Sequence, residues 1–262
     1  MRISHEVPKQ LFEESLQFND YDYALVHLFE TEPEYLQFYK NCVNNNRHVI
    51  LDNSIFELGV AFEPDAYAEW IKELNPTEYI IPDALEDSAR TISNADAWMY
   101  DHAKGLNAGT IGVVQGTTYA ELCECYRALD TMGIDKIAIS FDYSYYERTN
   151  ANCSNRLISW MRGRRDLLAQ MLADGVINIH KPHHLLGCGL PQEFDFYKQY
   201  SWIDTIDTSN PIVHGIRGIR YTKHGLLDKE RIKLVELLDT DITSDMLRDI
   251  QHNIVTFKGF CV

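Results

Sequence analysis

The sequence lacks the metal-binding, nucleotide-binding and membrane-spanning patterns that would indicate a function most directly. Its six cysteines form no CxxC pair and no zinc-ribbon spacing, which argues against a structural zinc module. No GxGxxG follows the first predicted strand, which argues against a Rossmann nucleotide-binding unit. No apolar run reaches the roughly 20 residues of a membrane helix, and the N-terminus lacks a signal-peptide core. We therefore expect a cytoplasmic protein (in the host cytoplasm if it is viral) with reduced thiols and no membrane partner.

Positive charge is also scarce. The chain has 24 lysines and arginines against 39 aspartates and glutamates, a formal net charge of −15 at pH 7. This balance disfavours nucleic acid as a partner unless basic residues concentrate on one face. Two stretches concentrate them, and each is either a solvated surface or a phosphate-binding patch. The candidate nucleic-acid-binding residues are Arg156, Arg162, Arg164 and Arg165 in the first stretch, and Arg217 and Arg220 in the second.

Strand-like and helix-like segments alternate along the chain with short connections. Seven strand-like runs cover 23–28, 48–51, 78–81, 110–114, 136–139, 184–186 and 202–206. Strands that alternate with helices pair in parallel, and an eighth strand comes from residues 2–4, 177–180 or 216–221. No linker or repeat interrupts the pattern. The sequence predicts an α/β fold, a single (β/α)8 TIM-like barrel domain over residues 1–262, with C-terminal helices from about 228 and no zinc subdomain.

Four of the predicted strands end on polar groups, at Asp52, Asp83, Gln115 and Asp207. In a barrel of alternating strands and helices, catalytic groups lie at the carboxyl ends of the strands. A carboxylate there can act as a nucleophile, a general base or a metal ligand. Gln115 and the adjoining Gly116 offer an amide and an unobstructed backbone N–H, which suit a purine edge. For any one aspartate the alternative is an N-cap of the following helix, but four such groups together indicate an active site.

Five segments carry a resemblance to a known family. In chain order they read HVILDNSIFELG, YIIPDALEDSA, IGVVQGTT, HHLLGCGLPQEF and WIDTIDTSNP. In order and spacing they resemble the tRNA-guanine transglycosylases and their DNA-modifying relatives. The resemblance implies an enzyme that replaces guanine in a polynucleotide with a 7-deazaguanine derivative. Such an enzyme works through a covalent glycosyl-aspartate and needs no cofactor.

The resemblance also implies a role for each matching residue. Asp207 matches the nucleophile that attacks the sugar C1′ and expels guanine, and Asp52 matches an aspartate viewed as general acid or base. Asp83 matches the residue that binds the donor edge of the base. Gln115 and Gly116 match an amide and a backbone N–H on the purine carbonyl. The match further implies that five other residues bind the substrate: Asn53, Phe56, Ser140, Gly187 and Gly189.

The chain departs from the family in ways that bear on the substrate. Members that act on tRNA carry a Cys₃His zinc site after the nucleophile strand, and this chain has only Cys261 there. The family's glycine-rich segment after the fifth strand reads Ser140-Phe141-Asp142-Tyr143 here. Both departures favour the compact relatives, common in viruses, that modify DNA, with tRNA as the alternative. The expected partners are DNA (or tRNA) and a 7-deazaguanine base, and a homodimer or a partner subunit is open, since family members often dimerise.

Other interpretations compete with this one. The cluster His180, His183, His184 and Cys188 has zinc-ligand chemistry, but a strand would direct these side chains to two faces, so we expect no metal there. Packing or a place in the substrate groove are the alternatives. The strand-end carboxylates would also suit a small-molecule hydrolase or lyase, which metal dependence would reveal. A third alternative is an inactive barrel retained as a binding module.

Overall fold

The computed structural model describes residues 1–153, 155–229 and 232–262. These residues form eight strands: β1 Arg2–Ser4, β2 Asp22–Leu25, β3 Val49–Asp52, β4 Glu78–Ile80, β5 Gly109–Val113, β6 Lys136–Ser140, β7 His183–Leu186 and β8 Ile203–Asp207. They also form ten α-helices: α1 Phe12–Phe18, α2 Pro33–Asn44, α3 Ile55–Leu58, α4 Pro64–Leu74, α5 Ser88–Asp101, α6 Tyr119–Thr131, α7 Ser144–Thr149, α8 Arg156–Ala173, α9 Asn210–Ile216 and α10 Ser244–Cys261. Short 3₁₀ helices cover Lys9–Leu11, Val26–Phe29, Ala103–Gly105, Pro191–Gln199 and Leu234–Leu237.

All eight strands are parallel and form one sheet, in the order β1-β8-β7-β6-β5-β4-β3-β2. Helices alternate with the strands along the chain, as parallel pairing requires. The predicted (β/α)8 TIM-like barrel is therefore confirmed. Of the three candidates for the eighth strand, Arg2–Ser4 is the one that pairs, next to β8.

β1 and β2 are the two ends of this sheet order, and two side chains bridge them. The backbone N–H of Asp20 donates to the carbonyl of Ile3 at 2.9 Å, and its carboxylate accepts from the N–H of Ile3 at 2.9 Å. The Asn19 amide binds both the N–H and the carbonyl of His5, at 2.7 and 2.9 Å. Asn19 and Asp20 therefore satisfy backbone groups of the β1 region that would otherwise be buried without partners.

The hydrophobic core includes the layer between the sheet and the surrounding helices. α6 buries Leu122 and Leu129, and α8 buries Leu167 and Leu168. Both helices keep polar residues on the outer side, as helices that cover a sheet do. None of the helices in the described part of the chain is long and apolar enough to cross a membrane.

Two predicted elements differ in form. The first strand, predicted over 23–28, ends at Leu25, and a 3₁₀ helix over Val26–Phe29 follows it. The first of the C-terminal helices predicted from about 228 appears in the described residues only as the 3₁₀ helix Leu234–Leu237, while positions 230 and 231 lie outside the described residues. Side chains of the described residues in this segment line a cavity at one end of the barrel.

Charged side chains fill the amino-terminal end of the barrel. The Lys136 ammonium, on a side chain that is 1% exposed, lies 2.6 Å from Glu78 and 3.0 Å from Asp204. Arg2 pairs with Asp204 at 2.6 Å, and His48 bonds to Glu78 at 2.8 Å. Burial alone would raise the pKa of Asp204, but the hydrogen bond from Arg2 and the charge of Lys136 lower it to about 2. This network closes one end of the barrel, so a ligand site belongs at the other.

The network makes a stability prediction. Lys136→Met leaves two carboxylates short of a partner at a buried position, and we expect the free energy of unfolding at pH 7 to fall by about 3 kcal/mol. Urea denaturation measures the loss. The control is Lys72→Met, which removes an exposed pair with Glu69 and should cost less than about 1 kcal/mol. Equal, small losses in both variants would contradict the role given to the buried network.

Candidate active site

A cavity of about 600 Å³ opens at the carboxyl end of the barrel. Because all strands run in parallel, their carboxyl ends meet at this face, where barrel enzymes place their catalytic groups. The volume is in the range of small-molecule and cofactor sites. Each strand, or the residues just after it, supplies a lining side chain: Glu6 after β1, Tyr23, Asp52, Ile80, Val113, Ser140, Leu186 and Asp207.

Asp83 lies between two amide side chains on the cavity wall. Asn53 donates to its Oδ1 at 2.8 Å, and Gln115 donates to its Oδ2 at 2.7 Å. Both amides are oriented by the backbone: Asn53 also donates to the carbonyl of Ile81 at 2.9 Å, and the Gln115 oxygen accepts from the N–H of Glu86 at 2.9 Å. Asp83, Asn53 and Gln115 are thus held as one rigid group, which we call the amide clamp.

The amide clamp leaves hydrogen-bonding capacity for a ligand. Each carboxylate oxygen has more than one acceptor site, so Asp83 can accept further hydrogen bonds after those from Asn53 and Gln115. Gln115 keeps one N–H that the clamp does not use. Burial raises the pKa of Asp83, and the bonds from Asn53 and Gln115 act in the opposite direction. The clamp is suited to bind a planar group that presents adjacent donors.

Asp52 is held by different donors. The hydroxyl of Tyr23 donates to its Oδ2, and the backbone N–H of Ser54 donates to its Oδ1. Burial raises the pKa of Asp52 well above its usual value, and the nearby charge of Glu57 raises it further, while the two hydrogen bonds act in the opposite direction. A carboxyl group with a raised pKa can hold a proton near neutral pH and deliver it to a leaving group.

Asp207 ends β8 and is held through one oxygen. Nε2 of His184 lies 3.0 Å from its Oδ1, and the backbone N of Gly187 lies 3.2 Å from the same oxygen. Among the described residues, no donor is bonded to Oδ2. Asp207 is 6% exposed and lines the cavity. Its second oxygen is therefore available to an electrophile in the cavity.

Glu6 and Glu57 are among the further carboxylates that sequence reasoning missed. Both line the cavity. Burial raises the pKa of Glu6 well above its usual value, and the charge of Asp207 adds to this effect; burial also raises the pKa of Glu57. Glu6 lies two residues beyond β1, so accepting Arg2–Ser4 as the eighth strand would have drawn attention to it. Tyr23 was missed because it begins the strand-like run 23–28, whereas the candidate site residues were sought at the strand ends.

Three of the other residues implied as substrate-binding line the cavity: Phe56, Ser140 and Gly187. The Phe56 ring is half exposed at the mouth. Gly187 has a φ of +65°, and a Cβ there would lie 2.5 Å from the ring of Phe141. Only glycine fits this turn, and the turn aims the Gly187 N–H at Asp207. Whether these residues bind substrate stays a prediction.

Two predicted glycines lie away from the cavity surface. Gly116 packs against α6, where a Cβ would lie 2.9 Å from the Cβ of Glu121. Gly189 accepts a hydrogen bond from Asn210 at 3.2 Å through its carbonyl. Neither lines the cavity, so close packing accounts for Gly116 and the turn before the 3₁₀ helix accounts for Gly189.

One of the predicted phosphate contacts is wrong. Arg164 is fully buried, pairs with Glu193 at 2.6 Å and donates to the carbonyls of Leu186 and Gly187 at 2.9 and 3.2 Å. An arginine in this position is not accessible to a polynucleotide. Its role is to hold the β7 turn, which in turn holds Asp207. The sequence pattern alone did not reveal this, because neighbouring positions on one helix differ in exposure.

Of the predicted basic residues, Arg156 lies at the cavity. It lines the wall, and its guanidinium lies 4.5 Å from the centre of the Trp160 ring. Stacking of this kind orients the guanidinium, whose Nε also lies 4.0 Å from the Glu147 carboxylate, and its other N–H groups can bind an anion. The predicted arginines that do not line the cavity, apart from Arg164, are Arg162, Arg165, Arg217 and Arg220.

The histidine and cysteine cluster is divided between separate environments. His180 is exposed, and Cys188 is buried in the turn after β7. His183 bonds to Tyr126 at 2.8 Å, and burial lowers its pKa to about 4, whereas His184 points to Asp207. Alternation along β7 explains the split. In the described part of the chain, no group of three or more His, Cys, Asp or Glu side chains is arranged to hold a metal ion.

A segment near the C-terminus, which we call the strap (residues 228–229 and 232–235), borders the mouth of the cavity. The Lys229 ammonium lies 4.4 Å from the centre of the Phe141 ring, and the Lys233 ammonium lies 5.4 Å from the centre of the Phe56 ring. Burial lowers the pKa of Lys229. The strap therefore adds two lysines to a cavity lining that also contains acidic residues.

No protein-family model matches the chain, and no curated protein matches it. The resemblance to the transglycosylases therefore stays a prediction. Only the five sequence segments and the geometry of the cavity bear on the function of the protein.

The raised pKa of Asp52 predicts a pH-dependent stability. Between the unfolded-state pKa, about 4, and the raised folded-state pKa, the folded protein binds more protons than the unfolded chain. Its free energy of unfolding therefore falls as the pH rises through this window. Asp52→Asn removes the titrating group, so we expect this variant to be more stable than the wild type at pH 8 and to lose that advantage at pH 4.

Urea denaturation at the two pH values measures this difference. The control is Glu124→Gln, which changes an exposed carboxylate on α6 and should shift stability equally little at both. An Asp52→Asn variant whose stability relative to the wild type does not increase from pH 4 to pH 8 would contradict the raised pKa.

Proposed function

We propose that the protein is a base-exchanging transglycosylase that replaces guanine in DNA with a 7-deazaguanine derivative. One observation carries the proposal: the cavity presents two kinds of carboxylate. Asp83 is held in the amide clamp, whereas Asp52 and Asp207 are held outside it by a hydroxyl, an imidazole and backbone N–H groups. The barrel fold alone is compatible with many activities, so the different environments of these carboxylates are what support the proposal.

The amide clamp suits the edge of guanine. Guanine presents two adjacent donors, N1–H and the N2 amino group, which Asp83 can accept with the lone pairs that Asn53 and Gln115 leave. The remaining N–H of Gln115 can donate to the neighbouring carbonyl O6. A site built to bond polar groups rejects bases that lack them, because its own buried groups would lose their partners. This is the basis for selecting guanine and 7-deazaguanines over adenine.

Asp52 and Asp207 suit a double displacement. A lone pair of Asp207 Oδ2 attacks the sugar C1′, the C1′–N9 bond breaks, and its electron pair leaves with guanine. The proton held by Asp52 passes to the departing base, so guanine leaves neutral. In the second half the incoming 7-deazaguanine returns a proton to Asp52, its N9 bonds to C1′, and the C1′–Oδ2 bond breaks to restore Asp207.

The rim of the cavity suits a polynucleotide. Arg156 and Lys233 are exposed side chains that line the cavity of an otherwise acidic protein, where they can pair with phosphates next to the reacting nucleotide. A guanine in a duplex must leave the stack for its C1′ to reach Asp207. The departures from the tRNA-modifying members of the resembled family support DNA rather than tRNA as the polymer.

Guanine exchange tests the proposal. We expect radiolabelled guanine to enter DNA with the wild type, and we expect the Asp207→Asn variant to incorporate at least about 1,000-fold less, because the nucleophile is lost. Duplex DNA, single-stranded DNA and tRNA are assayed in parallel. The control is Asp65→Asn, which changes a carboxylate that is 88% exposed and should leave exchange unchanged. Incorporation into tRNA alone would correct the polymer, and none into any polymer would contradict the proposal.

Arg156 makes a separate prediction about DNA binding. We expect Arg156→Gln to reduce the slope of log K against log salt concentration by about one, as the loss of one phosphate contact does. Fluorescence anisotropy with labelled DNA over a salt series measures the slope. The matched control is Arg165→Gln on the same helix, where Arg165 pairs with Asp166 at 2.9 Å. Equal slopes for the wild type and Arg156→Gln would remove Arg156 from the DNA contact surface.

A further inference from the structure

We propose that His184 is a positioning residue for Asp207 and decides which carboxylate oxygen attacks the sugar. Its Nε2 lies 3.0 Å from Oδ1, and the N–H of Gly187 donates to the same oxygen at 3.2 Å. With Oδ1 occupied by two donors, Oδ2 is the oxygen that forms the bond to C1′. The inference rests on the proposed function for its chemistry and on these contacts for its geometry.

The surroundings of His184 fix its tautomer. Nδ1 lies 2.9 Å from the hydroxyl of Thr205, which can either donate or accept. Nε2 faces a carboxylate that can only accept, so the ring proton belongs on Nε2 and the Thr205 hydroxyl donates to Nδ1. His184 and Thr205 are both fully buried, so water does not compete for either nitrogen. The Asp207 carboxylate thus determines which nitrogen carries the proton, and the Thr205 hydroxyl supports this tautomer by donating to Nδ1.

Packing fixes the orientation of the ring. The Tyr23 ring lies against His184 with the centroids 5.8 Å apart and the planes 14° from parallel. The same Tyr23 donates its hydroxyl to Asp52. Asp52, Tyr23, His184 and Asp207 therefore form one connected series, in which the two reacting carboxyl groups are placed relative to each other by two stacked rings.

The two donors on Oδ1 have a consequence for the covalent intermediate. When Oδ2 bonds to C1′, Oδ1 becomes the carbonyl oxygen of a neutral ester. Donors bind a carboxylate more strongly than an ester carbonyl, so His184 and Gly187 favour the free carboxylate over the adduct. This helps the C1′–Oδ2 bond to break when the new base attacks, with the electron pair returning to Asp207. Removing the donor from His184 should therefore increase the amount of adduct.

Two variants separate this role from packing. His184→Phe keeps a ring against Tyr23 and lacks a donor, whereas His184→Gln keeps an N–H donor. The full-length proteins are equilibrated with DNA and guanine, and the DNA-linked protein is quantified on a denaturing gel. We expect His184→Phe to raise the ratio of adduct to free protein by about 10-fold and to slow base exchange by about 10- to 100-fold, with the KM for guanine unchanged.

His184→Gln should restore both values toward the wild type. A residue that only supports the fold would show the opposite sign, with less adduct as exchange is lost. An unchanged or lower adduct ratio in His184→Phe would therefore overturn the proposal. If His184→Phe does not fold, Thr205→Val is the second variant. It removes the hydroxyl that donates to Nδ1 and supports the tautomer, and it should raise the adduct ratio by less than the Phe change.

A readout that does not depend on activity keeps this inference separate from the proposed function. NMR of ¹⁵N-histidine-labelled protein, with the signals of His184 identified through His184→Gln, reports which nitrogen carries the proton. We expect an Nε2–H tautomer whose signals shift in Asp207→Asn. An Nδ1–H tautomer overturns the positioning role even if guanine exchange is found. If no polymer accepts guanine, the proposed function fails, and the tautomer by itself decides whether His184 holds Asp207.

Discussion

The parallel direction of all eight strands is the constraint on which the rest of the structure depends. It brings the carboxyl ends of all eight strands to one face of the barrel. The charged groups at that face and at the opposite face have different partners. At the amino end, Lys136 and Arg2 neutralise Glu78 and Asp204, so the pKa of Asp204 falls to about 2. At the carboxyl end the acids are held mainly by neutral donors, and burial raises the pKa values of several of them. The ion pairs at the amino end stabilise the fold, whereas several carboxyl groups at the other end have raised pKa values.

The three aspartates in the cavity differ in their hydrogen-bond partners, and these partners suit each of them to a different role. Asp83 has an amide on each oxygen and is suited to recognition. Asp52 has a tyrosine hydroxyl and a backbone N–H, together with a raised pKa, and is suited to carrying a proton. Asp207 has both of its donors on one oxygen, which leaves the other for a bond to carbon. In the proposed mechanism, these partners separate recognition, proton transfer and nucleophilic attack.

Net charge was a poor guide to the surface around the site. The chain is strongly acidic, yet lysines and an arginine border the cavity. Conversely, an arginine in the basic stretch, Arg164, is buried as an internal support for the β7 turn. Average charge governs long-range attraction, whereas binding depends on where individual charges lie. The strap, which follows the last barrel strand in the chain, adds two lysines, Lys229 and Lys233, to the cavity lining.

The sequence by itself determined the alternation of strands and helices, and hence a parallel barrel with Asp52, Asp83, Gln115 and Asp207 at one face. It could do so because the periodicity of burial and the ends of strands are local properties. Only the tertiary structure decided that Arg2–Ser4 is the eighth strand, since three residues are too few to show a period. Partners such as Tyr23 and His184 were also beyond the sequence, because a hydrogen bond or a ring contact across the barrel joins positions that no local pattern relates.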